Sequence, residues 1–503
     1  MSKVFEWIQP YLDKGIAYQT ALVLLEWDQE TLAPVEAQDY TAKVVGELSD
    51  SYMQVMTNAE VQKHLHTLEK EFATLDPKEQ SIVKEWKKIL AQLAYIPKEE
   101  YKEYTTLVAK AGAIWSRAKE KDDFSAFAPT LEEIIAYKRK FATYRKKNNK
   151  EEKKKELYDI LLEDYEPGFT MEILDEFFAK IKEELVPFLK EITEACRKVD
   201  KSYNYKKYPV EQQREFCKWL SGYMGFDFNR GVIAESAHPF TTNLHNHDVR
   251  ISNHYYEENL ESAIFSAIHE TGHALYEMGI DNELTLSIVG TGTSMGMHES
   301  QSRFWENIIG RSEEFWIPIY PKLQEAFPEQ LKDVSLNDFL RGCNKIEPGL
   351  IRTESDELTY SLHILVRYEL EKELIEGKCE VKDLEQAWNE KYQKYIGKTP
   401  ERASEGVLQD IHWAGGDFGY FPSYAIGTAV AAQLFAHMKE KMPIKEYLKD
   451  GNLTPIREYL KEQIYQYGKR KTTQELLKDI TGEEFSADYY INYLKEKYSA
   501  LYL

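Results

Sequence analysis

Residues 269–273 read HETGH, two histidines four apart with a glutamate between them. On an α-helix, positions i and i+4 share a face about 6 Å apart along the axis, so two imidazoles there can converge on one ion. Zinc accepts imidazole nitrogen at about 2 Å and suits such a pair. Glu270 follows His269 directly and points about 100° round the helix, away from a shared ligand position. It is placed to take a proton from water beside an open metal position, which is the chemistry of the H-E-x-x-H arrangement. The bare pattern also arises by chance, as two satisfied histidines and a surface glutamate. A third ligand decides between these readings.

Glu277 lies on the same stripe, but about 12 Å along the axis from His269, beyond the reach of one ion. The longer pattern that ends in a third histidine is excluded, because Tyr276 stands at its glycine position and Gly279 at its last histidine. Downstream, SIVGTGTSMGMHESQSRFWENIIG opens with a Gly and Thr loop. A second helix is expected over residues 294–309, with Glu299 on its first turns, 26 residues after His273. An antiparallel return would bring Glu299 back to the histidines. Glu283, expected on a loop, and Glu306, two turns further along, compete for the role. Structural zinc sites are closed by four protein ligands, so three ligands and an open position point to catalysis rather than to a helical interaction protein with a structural metal.

A helix must hold these residues. Ser262 is a candidate cap, Ile264, Phe265, Ile268 and Leu275 are apolar, and Gly279 stands where the helix should stop. Gly272 weakens the helix interior by about 1 kcal/mol relative to alanine, which points to a close approach by another backbone. Most of the chain has the same period. Residues 171–191 place Ile173, Leu174, Phe177, Phe178, Ile181 and Leu185 on one stripe. With 25 Gly and 17 Pro in 503 residues, long helices with short joints are expected. Residues 418–436 carry no charge, yet Pro422, Tyr424 and Gln433 argue for a buried helix beginning near Pro422 rather than a membrane span. The crowded charges of residues 138–156 read as a solvated helix end or loop. Residues 231–257, rich in Thr, Asn, His and β-branched side chains, break the rhythm and read as short strands and turns just before the HETGH helix. A small sheet edge there could take an extended peptide by strand addition.

The formal net charge of −21 argues against nucleic acid and anionic membranes as partners. Four cysteines, far apart and without a CxxC pair, argue against a disulfide framework or a cysteine zinc site, and suit a cytoplasmic chain with reduced thiols. The opening MSKVFEW lacks the basic and apolar regions of a secretory signal. No linker or repeat marks a domain boundary.

With HETGH followed by HESQ, the sequence resembles the carboxypeptidase Taq family of metallocarboxypeptidases. Six motifs agree in order: HPF at 238–240, DVRIS at 248–252, HETGH, HESQ at 298–301, IRTESDE from Ile351 and GVLQDIHW from Gly406. The resemblance covers nearly the whole chain, most strongly residues 236–427. It implies zinc, with cobalt as a possible substitute, held by His269, His273 and Glu299, and Glu270 as general base and later proton donor. It implies a mainly α fold, a large helical protein split by a deep active-site groove, with a small β-sheet beside the metal helix. That plan is similar to angiotensin-converting enzyme and neurolysin. Residues 1–503 would form a single catalytic unit of two helical halves, with the zinc-site core at about 230–430. Family members release single C-terminal residues from peptides with broad preference, disfavour proline and usually form homodimers. Ser252 stands where threonine is common and Ser355 where alanine is common, departures that touch fine specificity only.

A carboxypeptidase must recognise a terminal carboxylate, and a bidentate arginine suits this best. Arg250, Arg303, Arg352 and Arg402 stand near motifs, and the family pattern points to Arg352. The plain alternative for Arg352 is an ion pair with Glu354, Asp356 or Glu357. The attack also creates an oxyanion that needs donors. By analogy with related helical zinc peptidases, His412 and the tyrosines Tyr420 and Tyr424 of HWAGGDFGYFPSY would supply them, with Gly415 and Gly416 allowing close approach. The plain alternative is that these aromatics pack. His238 and Arg250 are candidates for binding substrate. Asp248, Arg250 and Asp410 could form a supporting network, and His298, beside Glu299, could brace the metal ligands.

Overall fold

The computed structural model describes residues 5–503, so the first four residues of MSKVFEW lie outside it. Helices make up most of the described chain, in line with the helical period of the sequence. The sheet has three strands, β1 (Gly231–Glu235), β2 (Thr241–His245) and β3 (Asp248–Asn253), in the order β1-β3-β2. β3 runs parallel to β1 and antiparallel to β2, and Ile251 stands opposite both Ile233 and Thr241. Alternation sets the faces. Val249 and Ile251 are buried with Phe226, Ala274 and Met278, while Arg250 between them turns to the other face. The strand-like patch of the sequence thus seats one face of its sheet on the HETGH helix.

The chain divides into two compact units that interleave along the sequence. One comprises Met1–Leu90, Asp200–Cys343 and Leu434–Glu484, the other Ala91–Val199, Asn344–Gln433 and Phe485–Leu503. The expected core at 230–430 draws residues from both.

In the first unit, the HETGH helix spans Leu260–Gly279 and is buried on almost every side. It starts earlier than a Ser262 cap would allow. Asn259 is the cap, its side chain accepting the Ser262 N–H at 3.3 Å and so satisfying one orphan donor of the first turn. The helix ends at Gly279, and Ile280 is already extended. The second helix spans Met295–Arg303 and is capped by Ser294, whose hydroxyl accepts the Met297 N–H at 3.1 Å. It does not stay α-helical to residue 309. Phe304–Ile309 is a π-helical turn, closed by a bond from the Gly310 N–H to the Trp305 carbonyl at 2.7 Å. A Cβ at Gly310 would lie 2.7 Å from that same carbonyl, so glycine is what lets the widened turn close.

In the second unit, the helix Met171–Ala195 buries Leu174, Phe177, Phe178, Ile181 and Leu185, with Ile173 at the edge of that stripe. The helix Glu357–Ile375 is capped by Asp356, which accepts the Thr359 N–H at 2.9 Å, and it buries Arg367 and Glu371 completely. The HWAGG segment forms a short turn, His412–Gly415, and the helix Pro422–Lys441 begins at the expected proline. Gly416 and Gly419 both have positive φ, 77° and 91°, where a side chain would be strained. The charged stretch 138–156 is less solvated than its composition suggests. Arg145, near the end of the helix Phe124–Asn148, is buried, with Nη2 2.7 Å from Glu152 and Nη1 2.8 Å from Asp164. Two carboxylates compensate the buried guanidinium.

No helix of the described residues is long and apolar enough to cross a membrane. The four cysteines are thiols rather than disulfides.

Candidate metal centre

The HETGH helix stacks His269 and His273 one turn apart, with ring centroids separated by 4.8 Å and planes at 84°. Each Nε2 lies 3.7 Å from the same Glu299 carboxylate oxygen, Oε2. The donor atoms of the three residues all fall within 4.8 Å of one another. An ion about 2 Å from each donor bridges separations of up to about 4 Å, which takes in both 3.7 Å contacts, and two imidazoles with one carboxylate are a donor set suited to zinc and its neighbours. The approach of the two helices depends on Gly272. A Cβ there would sit 2.8 Å from Ser302 Cα and 2.9 Å from the Gln301 carbonyl, both backbone atoms of the helix that carries Glu299. Of the competing acids, Glu283 pairs with Arg470, and Glu306 takes the far nitrogen of His269, with Oε2 2.9 Å from Nδ1.

Behind the donors lies a layer of charges. Arg303 bridges two acids, with Nε 2.7 Å from Glu299 Oε1 and Nη1 3.2 Å from Glu306 Oε2. Burial opposes ionisation of both glutamates, but Arg303 and His269 outweigh it and hold both carboxyls below their ordinary range. Burial pushes His273 well down, which keeps it in the neutral form that binds metal. His273 Nδ1 lies 2.6 Å from His298 Nδ1, and His298 Nε2 lies 2.8 Å from Glu277 Oε1. Glu277, too far along the helix to share an ion with His269, thus reaches His273 through a neighbouring ring.

Glu270 is 6 % exposed, and its Oε2 accepts the Thr241 hydroxyl at 2.6 Å. Burial pushes its carboxyl up, opposed by His269 and by that hydrogen bond. Sequence reasoning missed Thr241. It sits in the strand patch just before the helix, but only the β2–β3 register turns its hydroxyl toward Glu270.

Arg250 holds Asp248 with two parallel bonds, Nε to Oδ1 and Nη2 to Oδ2, each 2.8 Å, and its guanidinium lies 5.9 Å from the centre of the Trp27 ring. Asp410, in the other unit, pairs with Arg352 and Arg367. His238 is exposed between β1 and β2, and its carbonyl accepts the Ser236 hydroxyl at 2.6 Å. Arg402 is exposed and pairs with Glu405 at 2.6 Å.

The second unit gathers Arg352, His412, Tyr420 and Tyr424. Arg352 is 6 % exposed, and its near-sequence acids are not its partners. Asp356 caps a helix, and Glu357 accepts from Lys497 at 2.6 Å. Arg352 instead binds Asp410 Oδ1 through Nε at 3.1 Å and Nη2 at 2.8 Å, while Arg367 Nη2 lies 2.6 Å from Asp410 Oδ2. Burial opposes ionisation of Asp410, but the two guanidiniums hold its carboxyl well below the usual range. The Arg352 guanidinium lies 4.8 Å from the centre of the Tyr424 ring, and His412 Nε2 is 3.3 Å from the Tyr424 hydroxyl. The Tyr420 ring lies 5.4 Å from the His412 and Tyr424 rings, centroid to centroid. Burial, with Asp410 opposing and Arg352 reinforcing, pushes His412 down to about 4, so its ring is neutral near pH 7. The loop is tied to the buried Glu371, which accepts from Tyr158 at 2.8 Å, Trp413 Nε1 at 2.9 Å and the Gly419 N–H at 3.1 Å.

A family model described as Carboxypeptidase Taq (M32) metallopeptidase matches residues 8–498. Carboxypeptidase 1 of Bacillus subtilis (strain 168) is 44% identical over 487 residues, 97% of this chain and 96% of that protein. Thermostable carboxypeptidase 1 of Thermus thermophilus is 38% identical over 493 residues, with 97% and 96% covered. The crystal structure of an M32 carboxypeptidase from Deinococcus radiodurans R1 superposes with a TM-score of 0.94 at 31% identity and covers 100% of both chains.

Proposed function

Because this chain belongs to the carboxypeptidase Taq (M32) metallopeptidase family and is a metallocarboxypeptidase, a peptide hydrolase, we propose that it releases single C-terminal amino acids from peptides with broad specificity, using zinc held by His269, His273 and Glu299. The observation that carries the reading is the convergence of His269 Nε2 and His273 Nε2 on one oxygen of Glu299. Cobalt, with similar size and ligand taste, would substitute.

When bound, the ion supplies Lewis acidity toward water and the scissile carbonyl. Glu270 takes a proton from the attacking water and returns it to the leaving amine, and the Thr241 hydroxyl keeps its carboxylate aimed. Arg352 recognises the terminal carboxylate of the peptide. Two guanidiniums share the single carboxylate of Asp410, and the positive charge left over supports that role. His412, neutral near pH 7, and the hydroxyls of Tyr420 and Tyr424 donate to the oxyanion. His238 and Arg250 contact the substrate beside the sheet. The two units serve one reaction, and the protein works as a homodimer in the cytoplasm, where its thiols stay reduced.

The test compares two peptides of one sequence, with a free and an amidated C-terminus, incubated with the zinc-loaded protein and read by mass. Stepwise loss of single residues from the free peptide alone, abolished by a chelator and by Glu270→Gln, is the expected result. Internal cuts in both peptides would make the protein an endopeptidase and remove Arg352 from its role.

A further inference from the structure

A chain of polar side chains behind His273 decides which of its nitrogens can bind metal. Glu277 is 2 % exposed. Its Oε1 accepts the Gly292 N–H and the Thr291 hydroxyl, each at 2.9 Å, and its Oε2 accepts the Asn243 amide. Three donors already converge on this carboxylate, so it meets His298 Nε2 as an acceptor at 2.8 Å. In its neutral form His298 therefore carries its proton on Nε2, which leaves a lone pair on Nδ1. That atom lies 2.6 Å from His273 Nδ1, and only a proton on His273 Nδ1 makes this contact a hydrogen bond. The remaining nitrogen of His273, Nε2, then presents its lone pair, and it is this atom that faces Glu299 Oε2 at 3.7 Å.

The surroundings are shaped for this chain. A Cβ at Gly292 would lie 2.6 Å from His298 Cδ2 and 2.9 Å from Tyr276 Cε1, so glycine alone lets the turn deliver its N–H to Glu277. Tyr276 accepts the Thr293 N–H at 3.1 Å, which fixes the same turn from its other side. His269 is backed differently, by the carboxylate of Glu306 directly. The two histidines thus have unlike support, one from an acid and one from an acid acting through a second ring.

We propose that His298, oriented by Glu277 and the turn at Thr291 and Gly292, is a positioning residue that fixes the tautomer of His273 and so presents its Nε2 to the metal. The inference rests on the reading of His269, His273 and Glu299 as metal ligands. It adds that metal retention depends on residues that never touch the ion.

The test measures zinc affinity by competition with a chromophoric chelator, the absorption spectrum of the cobalt-loaded protein, and the unfolding temperature of the metal-free protein. His298→Ala should weaken zinc binding about 10- to 100-fold, the range for lost outer partners of metal ligands. It should alter the cobalt spectrum, and the loss of zinc affinity should exceed any fall in metal-free stability that comes from the lost bond to Glu277. His298→Asn places a carbonyl oxygen where Nδ1 stands and should recover most of the affinity. Wild-type affinity in His298→Ala overturns the proposal. So does a loss that tracks metal-free stability and is not recovered by His298→Asn. Should His298→Ala fail to fold, Glu277→Gln decides. Weakened zinc binding with a changed cobalt spectrum supports the proposal, and no change in either overturns it. A wild-type protein that binds no zinc removes the metal reading itself, whereas tight wild-type binding indifferent to His298 removes only this inference.

Discussion

Gly272 faces Ser302 so closely that a Cβ on Gly272 would stand 2.8 Å from the Ser302 α-carbon. The glycine lies in the middle of the helix that carries both histidines, where alanine would gain about 1 kcal/mol in helix propensity. The clash is with backbone, which cannot swing aside as a side chain would. Gly272→Ala must push the helix of Glu299 outward, at a packing cost of about 1–3 kcal/mol. Glu299 moves with its helix, so its oxygen draws away from the two imidazoles. The expected outcome is a folded protein of unchanged helix content whose zinc affinity, by chelator competition, falls at least about tenfold. Wild-type affinity in this variant would show that the close approach serves packing alone.

Thr241 bonds to Glu270, the proposed base, rather than to the proposed metal ligands. Its hydroxyl is 2.6 Å from Glu270 Oε2, and no bond runs from it to His269, His273 or Glu299 among the described residues. Thr241→Val keeps the branched shape and deletes the donor. A lost hydrogen bond to a charged group costs about 1.5–3 kcal/mol, so kcat should fall roughly 10- to 100-fold. Bound zinc, counted by elemental analysis, should stay at the wild-type level. A variant that loses zinc in step with activity would place Thr241 among the supports of the metal instead.

The histidine pair was legible because its geometry is local: four residues on a helix fix the spacing whatever the rest of the chain does. Glu299 followed from a helix, a Gly and Thr loop and a returning helix, and Gly272 announced the close approach by its cost. What escaped was set by tertiary register. Thr241 meets Glu270 only through the pairing of β2 with β3 and the seating of that sheet on the helix. Distance along the axis sets Glu277 aside as a ligand, but its link through His298 depends on how residues 291–293 fold back. Arg352 has three acids among the five residues that follow it in the sequence, and its carboxylate partner is none of them. Asp410, 58 residues on, is its partner, because Asp356 is spent on a helix cap and Glu357 on Lys497. Proximity in sequence is a poor guide once local acids have local duties.

That pairing shapes what Arg352 can do. Asp410 occupies its Nε and Nη2 through one oxygen, and Arg367 takes the other oxygen. Arg352→Gln removes a charge while leaving Asp410 compensated by Arg367, so the fold should survive. If Arg352 holds the substrate carboxylate, kcat/KM for free peptides should fall roughly 10- to 100-fold, the range for a charge-assisted bond. Most of that loss should appear in KM. A loss that instead follows the unfolding temperature, with KM unchanged, would make the residue a structural partner of Asp410.

Glu371 gives the second unit a pH dependence of a definite sign. Its carboxyl is fully buried, and burial pushes it up to about 7 in spite of three donors, Trp413, Tyr158 and the Gly419 N–H. The unfolded value is near 4.5. The folded state therefore holds this proton more tightly than the unfolded chain does. Its contribution to stability is complete below about pH 4.5 and is lost as pH rises through about 7. Glu371→Gln cannot titrate. Against the wild type, its unfolding temperature should decline less steeply between pH 5 and pH 8, although its absolute value at low pH will be lower, because an amide offers one acceptor where three donors converge. Two of the three bonds tie down Trp413 and Gly419, on the loop that carries His412 and Tyr420. Parallel curves for the two proteins across that range would mean that Glu371 keeps one protonation state throughout and that the loop is not tied to pH through it.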